Sequence, residues 1–308
     1  MFTNIILVHI GDTYYTYIND CLEQIRIFND CPVYLVSNAA HEDKILKNKN
    51  ITFVRIEDLE LEEHHKTWQN ISNYKDAFWR PCTERFFYVE NVMKKFNLKN
   101  SFHIETDNLL YFNLETELPI FEKNYQIAAI FDSEKRCVPG FFYYKDVDKL
   151  NLYTSMLASH PQGGGASDMY TWQHFRQKYP DIISNLPRFP KSYNEKCNTC
   201  GHHIDNRGDY IRHIGEFKAV FDGAEIGQYL GGLSPRNSGG AVGMINGDCV
   251  HKINKNFNFV FERDEQHRRV LYLYYKGYGK GWNRGDGECY RVNNLHVHSK
   301  NLINFMSI

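Results

Sequence analysis

Two carboxylates stand two positions apart in the segment SFHIETD, residues 101–107. Alternate residues of a strand point to the same face, so Glu105 and Asp107 are predicted to share one face where a buried strand ends. Ligand sites in open α/β sheets lie at the carboxyl ends of strands. Two oxygen ligands there suit Mg²⁺ or Mn²⁺, which can neutralise the charge on a departing diphosphate. The alternative is a solvated strand end, where acidic residues are ordinary.

The strand that carries this pair belongs to a predicted α/β region. Continuous apolar runs predict buried strands at 5–10, 32–37 and 51–56, and shorter strands at 127–131 and 140–145. Apolar residues at helical spacing predict helices over 14–29, 79–96 and 169–179. The order strand–helix–strand predicts right-handed crossovers and a mostly parallel central sheet flanked by helices.

The composition changes past residue 190, where glycines become frequent. Phenylalanines alternate within 256–262, and a second apolar run at 270–275 follows a polar turn, which predicts an antiparallel hairpin. A last short strand is predicted at 295–298. We therefore divide the chain into an α/β half, residues 1–190, and a smaller, mixed, glycine-rich part, residues 191–308, which we expect to be interwoven in a single domain.

Composition excludes several classes of function. The chain has 308 residues, with 36 basic and 37 acidic side chains, and this balance argues against bulk electrostatic binding to nucleic acid or to an anionic membrane. The first apolar run is short and lacks a basic leader, so it reads as a strand and not as a signal peptide. The sequence contains no run of about 18 apolar residues, so no membrane span is predicted. Eight cysteines without an export signal favour free thiols, and hence a cytoplasmic location.

The segment FHIETDNLLYF, residues 102–112, resembles the strand with the Asp-x-Asp motif of GT-A glycosyltransferases, with Glu105 in place of the first aspartate. The preceding FWRPCTERFFYVENVM is similar to the helix before that strand. Three later segments are similar to further motifs of the family in the same order: VPGFFYYKD, SDMYTWQHFRQKYPDIISNLP and LHVHSK. The resemblance covers most of residues 1–190 together with 295–300, while residues 191–290 match no part of the family pattern.

This resemblance implies a GT-A fold, which is Rossmann-like, and transfer of a sugar from a nucleoside diphosphate sugar with the help of Mn²⁺ or Mg²⁺. Asp107 would be the principal metal ligand. Glu105 would bind the ion through water or hold the ribose of the donor. The donor nucleotide would be uridine or guanosine diphosphate, with uridine favoured, and the acceptor would be a glycan or another hydroxyl compound.

Four more residues receive roles from the resemblance. A late histidine would complete the metal site, and His296 and His298 are predicted to share one strand face. We favour His298, because it lies closer to Lys300, which would meet the diphosphate. Arg85 would pair with the diphosphate or with the acidic cluster. The alternatives are a structural histidine pair and a surface arginine.

The nucleoside would lie beyond the first strand. Asp12 follows that strand, where a GT-A fold meets the nucleoside. Tyr14 or Tyr17 would stack on the base, and core packing is the alternative for both tyrosines.

An inverting transferase also needs a carboxylate base near the acceptor hydroxyl. Asp222 or Glu225 is a candidate in the glycine-bearing stretch 220–232, and Asp168 is a rival. The alternative for the first two is helix capping, because Asp222 followed three residues later by Glu225 is typical of a capping box.

Two further segments carry residue types that could bind ligands. The basic, glycine-rich stretch 276–284 would be a lid over the diphosphate, with Trp282 stacking on a sugar, or else a plain hairpin loop. Cys197 and Cys200 have the spacing of zinc ligands, but a second such pair is missing, and chance thiols in a loop are favoured.

Two other functions compete with a transferase. One is a sugar-binding or nucleotide-binding protein on the same fold that has lost catalysis. The other is a metal-dependent phosphohydrolase, which would need a second ligand cluster for two ions about 4 Å apart. The sequence offers no compact second cluster, so we favour the transferase.

Overall fold

Short apolar runs form most of the strands in the structure, a computed structural model that describes residues 3–46, 50–70, 79–134, 136–159, 167–193, 207–234, 239–244, 253–276 and 287–308. Within these ranges the strands are β1 Asn4–His9, β2 Val33–Ser37, β3 Ile51–Arg55, β4 Ser101–Ile104, β5 Asn108–Leu110, β6 Ile127–Ala129, β7 Phe131–Ser133, β8 Arg136–Cys137, β9 Phe141–Tyr144, β10 Ile183–Asn185, β11 Ala219–Val220, β12 Phe257–Arg263, β13 Arg269–Tyr275, β14 Glu288–Val292 and β15 Asn294–His296.

Helices connect and cover these strands. They are α1 Tyr17–Phe28, α2 Glu63–Gln69, α3 Trp79–Lys95, α4 Leu114–Asn124, α5 Val147–Ser159, α6 Asp168–Lys178, α7 Arg207–Tyr210, α8 Ile214–Phe217 and α9 Glu225–Gly231. None of the helices in the described ranges combines the length and the apolar character needed to cross a membrane.

The central sheet has seven strands in the order β10–β6–β9–β4–β1–β2–β3. Only β9 runs opposite to its neighbours, because it pairs antiparallel with both β4 and β6. The other neighbouring pairs are parallel. This arrangement confirms the predicted α/β class with a mostly parallel sheet flanked by helices.

Side chains of the central strands alternate between two apolar layers. Ile5 and Leu7 of β1 lie in the layer that contains Leu22 of α1, whereas Ile6 lies in the layer that contains Phe86 of α3 and Trp172 of α6. All six side chains are fully buried. Burying one such side chain stabilises the fold by about 1.5–3 kcal/mol, so the buried runs on both faces account for the sheet's central position.

The second sheet has four strands in the order β11–β14–β13–β12. The predicted hairpin is confirmed, with Phe257 opposite Tyr275 and Arg263 opposite Arg269 in an antiparallel register. Leu271, Leu273 and other inward side chains of this sheet lie in the same apolar layer as α1. The second half of the chain therefore packs on the α1 side of the central sheet.

A two-stranded ribbon joins the two halves of the chain. β15 pairs antiparallel with β5, and the register sets His296 opposite Asn108. The residues that follow β15 are held on α1, because Gln24 Nε2 donates to Ser307 Oγ at 2.9 Å and to Leu110 O at 2.7 Å.

Two sequence predictions differ from the structure near this ribbon. The strand expected over 101–107 ends at Ile104, since residues 105–107 turn to start β5. Helix α4 has no counterpart among the predicted elements because Pro119 lies inside it, and proline normally ends a helix. Asn113 compensates by capping α4 through its side chain, which accepts from Thr116 N at 3.0 Å.

Close packing of α9 against β15 requires glycine at position 227. A Cβ atom there would lie 1.8 Å from His296 O, a main-chain atom that cannot rotate away. We expect Gly227→Ala to lower the free energy of unfolding by about 2–3 kcal/mol, at the upper end of overpacking effects. Gly215→Ala is the matched control, because a Cβ there meets nothing within 4 Å. Urea unfolding of both variants checks this, and equal stability of the two would contradict the packing argument.

Candidate functional site

The turn between β4 and β5 positions the acidic pair. Glu105 N donates to Gly140 O at 3.0 Å, which extends the β4–β9 pairing by one residue, and Asn108 N donates to Glu105 O at 3.1 Å, which closes the turn. Asp107 is buried in this turn, and Glu105 is partly exposed. Both carboxylates therefore lie at the end of β4, although the strand itself has already finished.

The β5–β15 ribbon brings a histidine to the acidic pair. Val297 N donates to Asp107 O at 2.9 Å, so β15 lies directly alongside the turn. His296 Nε2 lies 3.1 Å from Asp107 Oδ2 and 3.3 Å from Glu105 Oε2. One ligand atom from each of these three residues lies within 4.8 Å of the other two. Two carboxylates and one imidazole thus form a compact three-ligand cluster.

Gly140 covers this cluster from the neighbouring strand end. A Cβ atom at this position would lie 3.0 Å from His296 Nδ1, 3.1 Å from Asn108 Nδ2 and 3.3 Å from Glu105 Oε2. Each of these contacts is tighter than ordinary van der Waals distance. The absence of a side chain at Gly140 therefore leaves the space that His296, Glu105 and Asn108 occupy.

Lys300 supplies a positive charge to the cluster. Its ammonium contacts Asp107 Oδ2, the same oxygen that faces His296. Burial alone would raise the pKa of Asp107, but Lys300 and His296 outweigh burial and hold this pKa well below its usual value. Burial would lower the pKa of His296, yet Asp107 raises it above the ordinary value. The cluster therefore favours an ionised Asp107.

Arg85 connects the cluster to α6. Its guanidinium contacts Glu105 Oε1 and donates to Asp168 Oδ2 at 2.8 Å and to Pro139 O at 3.1 Å. Arg85 is 6% exposed and Asp168 is 2% exposed, so both charges are removed from water. Burial raises the pKa of Asp168 to about 7, Arg85 opposes this rise, and Glu105 adds to it. The surface alternative for Arg85 is thus wrong, and its contact with the acidic cluster is direct.

The structure brings His296, and not the favoured His298, against Asp107. The reason is that β15 ends at His296, so the expected strand over 295–298 does not continue and the two histidines do not share a strand face. His298 Nδ1 instead accepts from Ser234 N at 2.9 Å. Burial, together with the charge of His296, lowers the pKa of His298 to about 4.

The placement of Asp222 corrects the expectation of a base there. Asp222 Oδ1 accepts from Ile226 N at 2.9 Å, and Oδ2 accepts from Gly227 N and His296 N at 3.0 Å each. The side chain is 2% exposed. Asp222 therefore accepts from main-chain amides of the first turn of α9 and holds β15, which agrees with the capping alternative, although the residue that precedes the helix is Ala224.

Glu225 has a different partner from the one that the capping-box pattern predicts. Its carboxylate contacts the guanidinium of Arg188, and both side chains are 1% exposed. Arg188 Nη1 also donates to Phe131 O at 2.8 Å. The structure therefore places Glu225 in a buried charge pair with Arg188, and not in the helix cap that the sequence pattern predicts.

The residues predicted to meet the nucleoside lie around the end of β1. Asp12 is exposed in the loop after β1. Tyr17 begins α1, stacks on Tyr15 with ring centroids 5.4 Å apart, and has its pKa raised to about 12 by burial and by the charge of Asp107. Tyr14 donates a hydrogen bond to Asn19 Oδ1 at 2.7 Å. Cys197 and Cys200, for which the sequence favours chance thiols over zinc ligands, and residues 277–284 of the predicted lid lie outside the described residues.

Buried amides complete the site, and the sequence patterns did not identify them. Asn108 Nδ2 donates to Gly140 O at 3.0 Å, and Asn294 Nδ2 donates to Asn108 Oδ1 at 3.0 Å. Asn294 Oδ1 also accepts from Asp222 N at 3.1 Å. The only signal in the sequence is the position of each asparagine next to a predicted site residue or strand.

Comparison with known proteins returns structures but no sequence matches. No family model and no curated protein matches the chain. The solved structures that resemble it include mouse xyloside xylosyltransferase 1, with 9% identity and a TM-score of 0.46 over 61% of this chain and 86% of that one. The galactosyltransferase LgtC, solved with donor and acceptor sugar analogues, has 10% identity and a TM-score of 0.39 over 60% and 73% of the two chains.

A third similar structure is the glycosyltransferase GlyE of Streptococcus pneumoniae, with 10% identity and a TM-score of 0.39 over 59% of this chain and 44% of that one. All three similar proteins are glycosyltransferases by name. At these identities and TM-scores the likeness carries no argument about activity, which has to rest on the residues of the site.

The cluster fits a divalent cation. Bonds from one ion to carboxylate oxygen and imidazole nitrogen are about 2 Å long, so ligands of one ion lie up to about 4 Å apart, close to the 4.8 Å limit within which Glu105, Asp107 and His296 gather. His296 Nδ1 is buried without a hydrogen-bond partner among the described residues, so the ring is not committed to another protein group through that atom. Carboxylate oxygens suit Mg²⁺ and Mn²⁺, and imidazole is compatible with Mn²⁺.

The raised pKa of Asp168 predicts a pH-dependent stability. A carboxyl whose pKa is about 7 when folded and near 3.8 when unfolded binds more protons in the folded state between these values, so its stabilising contribution is lost as the pH rises through about 7. We expect wild type to lose stability relative to Asp168→Asn between pH 5 and pH 7, by up to about 1.4 kcal/mol per pH unit. Parallel pH profiles of urea unfolding for the two proteins would count against this.

Proposed function

We propose that this chain is a metal-assisted glycosyltransferase that moves a sugar from a nucleoside diphosphate sugar to a hydroxyl acceptor. The observation that carries the proposal is the convergence of Asp107, Glu105 and His296 at one sheet edge, with Lys300 beside them. A uridine diphosphate sugar is the favoured donor, on the strength of the sequence resemblance. The acceptor is a glycan or another hydroxyl compound.

The proposed chemistry addresses the charge of the leaving group. A bound Mn²⁺ or Mg²⁺ ion supplies neutralising charge to the departing nucleoside diphosphate. Asp107, Glu105 and His296 would hold the ion at the end of β4. Lys300, two-fifths exposed and at the rim of the cluster, would donate to the diphosphate.

Other residues of the chain would position the donor. Tyr17 lies next to Asp107, and with Asp12 it would face the nucleoside beyond β1. Arg85, held by Pro139 O, fixes Glu105 and Asp168 relative to each other.

Asp168 remains the candidate for a general base among the three carboxylates considered. Its pKa of about 7 suits proton transfer near neutral pH, because a base works best when its pKa is close to the operating pH. Asp168 is paired with Arg85, which links it to Glu105 of the cluster, whereas Asp222 is held by main-chain amides and Glu225 by Arg188.

Loss of a proposed metal ligand should abolish metal-assisted donor binding. We expect Asp107→Asn and His296→Gln each to weaken Mn²⁺-dependent binding of UDP at least tenfold and to reduce sugar transfer at least a hundredfold, because a transition-state interaction and not only donor binding is lost. Asp181→Asn, a change at an exposed aspartate, is the control and should keep wild-type values. Isothermal titration calorimetry and transfer from a panel of nucleotide sugars provide the measurements.

Two outcomes would redirect the assignment. If wild type binds no nucleoside diphosphate in the presence of Mn²⁺, the transferase proposal is overturned. If sugar or phosphate is released at the same rate with and without any acceptor, the phosphohydrolase alternative is favoured instead.

A further inference from the structure

Lys300 contacts the carboxylate oxygen of Asp107 that a bound metal ion would need as a ligand. Its ammonium contacts Asp107 Oδ2, and His296 Nε2 faces that same oxygen at 3.1 Å. The contact is built by the turn after β15, in which Lys300 N donates to Val297 O at 2.9 Å. Lys300 adopts a left-handed backbone conformation with φ of 65° in this turn. This conformation is unfavourable for a non-glycine residue. The turn that directs the Lys300 side chain toward Asp107 is therefore strained.

The charges of the cluster are balanced by two cations of different mobility. Arg85 contacts Glu105, its side chain is 8% exposed, and it makes further bonds to Asp168 and Pro139 O. The side chain of Lys300 is 40% exposed. Arginine presents a rigid fork, whereas lysine is a point charge on a flexible four-carbon stem. Of the two counter-ions, Lys300 is therefore the one that can leave.

We propose that Lys300 is a resident counter-ion that holds Asp107 until a divalent cation and a diphosphate arrive together, so that the two ligands bind cooperatively. This inference rests on the proposed function. An ammonium and a divalent cation repel each other at one carboxylate oxygen, so the cation alone has to displace Lys300 into solvent. A diphosphate gives the displaced ammonium a new anionic partner, which removes the penalty.

Thermodynamic linkage makes the effect reciprocal. If the diphosphate raises the affinity for the cation, the cation raises the affinity for the diphosphate by the same factor, typically 5–150-fold in coupled sites. Lys300 is thus a positioning residue whose charge sets the size of this factor. Removing the charge should strengthen binding of the cation alone and weaken the coupling, a combination that no purely structural role produces.

Calorimetry on the full chain separates these effects. Mn²⁺ alone, UDP alone and Mn²⁺ in the presence of saturating UDP are titrated at a single neutral pH into wild type, Lys300→Met and Lys300→Arg. We expect Lys300→Met to bind Mn²⁺ alone about tenfold more tightly than wild type, while the enhancement by UDP falls to about twofold. Lys300→Arg keeps the charge and should bind Mn²⁺ alone no more tightly than wild type. Lys218→Met, a change at an exposed lysine, is the control.

The melting temperature provides a readout independent of activity. Lys300→Met should melt at a lower temperature than wild type without metal, since Asp107 loses its counter-ion, and Mn²⁺ should raise its melting temperature more than it raises that of wild type. Unchanged or weaker binding of Mn²⁺ alone by Lys300→Met overturns the counter-ion role. If wild type does not bind UDP at all, the proposed function is overturned. If Mn²⁺ alone still binds more tightly to Lys300→Met than to wild type in that case, the counter-ion role of Lys300 is retained.

Discussion

The hydrogen bond between the buried amides of Asn108 and Asn294 is the contact on which the site depends. Asn294 Nδ2 donates at 3.0 Å both to Asn108 Oδ1 and to Asp222 O, and Asn108 Nδ2 donates to Gly140 O. Both asparagines are fully buried, and a buried polar group without a partner costs about 1–3 kcal/mol. The four segments that contribute to this network therefore hold one another in register. This hydrogen-bond network therefore sets the spacing of the carboxylates and the imidazole.

Buried and partly buried ion pairs surround this network and fix its geometry without adding much stability. Removing two charges from water costs several kcal/mol per ion, and the attraction between the two charges is only slightly larger than this desolvation penalty. The pairs in and around the site are Asp107–Lys300, Glu105–Arg85, Asp168–Arg85 and Glu225–Arg188. These ion pairs orient the side chains, because a bidentate or shared guanidinium allows only a few arrangements of its carboxylates. The pair made by lysine lacks that constraint, and it is the one nearest to solvent.

Sequence patterns predicted the parts of the structure that depend on burial and period. Apolar runs identified β1, β2 and β3 because both faces of these strands are covered, and the segment that follows β4 was correctly expected to carry Asp107 at the end of a buried strand. The choice between His296 and His298 could not be read from spacing, since it depends on where β15 ends and on pairing across 189 positions. The sequence around Asp222 is compatible both with a catalytic base and with a helix cap. The cap is recognised only in the structure, where three main-chain amides donate to the carboxylate. The amide of Asn108 leaves no periodic signal at all.

The ribbon of β5 and β15 joins residues that are 186 positions apart, and this separation has a consequence for the order of folding. Closing so long a segment costs entropy that local turns and helices do not incur, and distant pairings of this kind slow folding. The ribbon is therefore expected among the last contacts to form. Until it does, the two carboxylates lack their imidazole neighbour and the glycine-covered space between the strand ends. For the metal site that we propose, a nascent or partly folded chain would thus have little capacity to sequester divalent ions, and binding of an ion would require the completed fold.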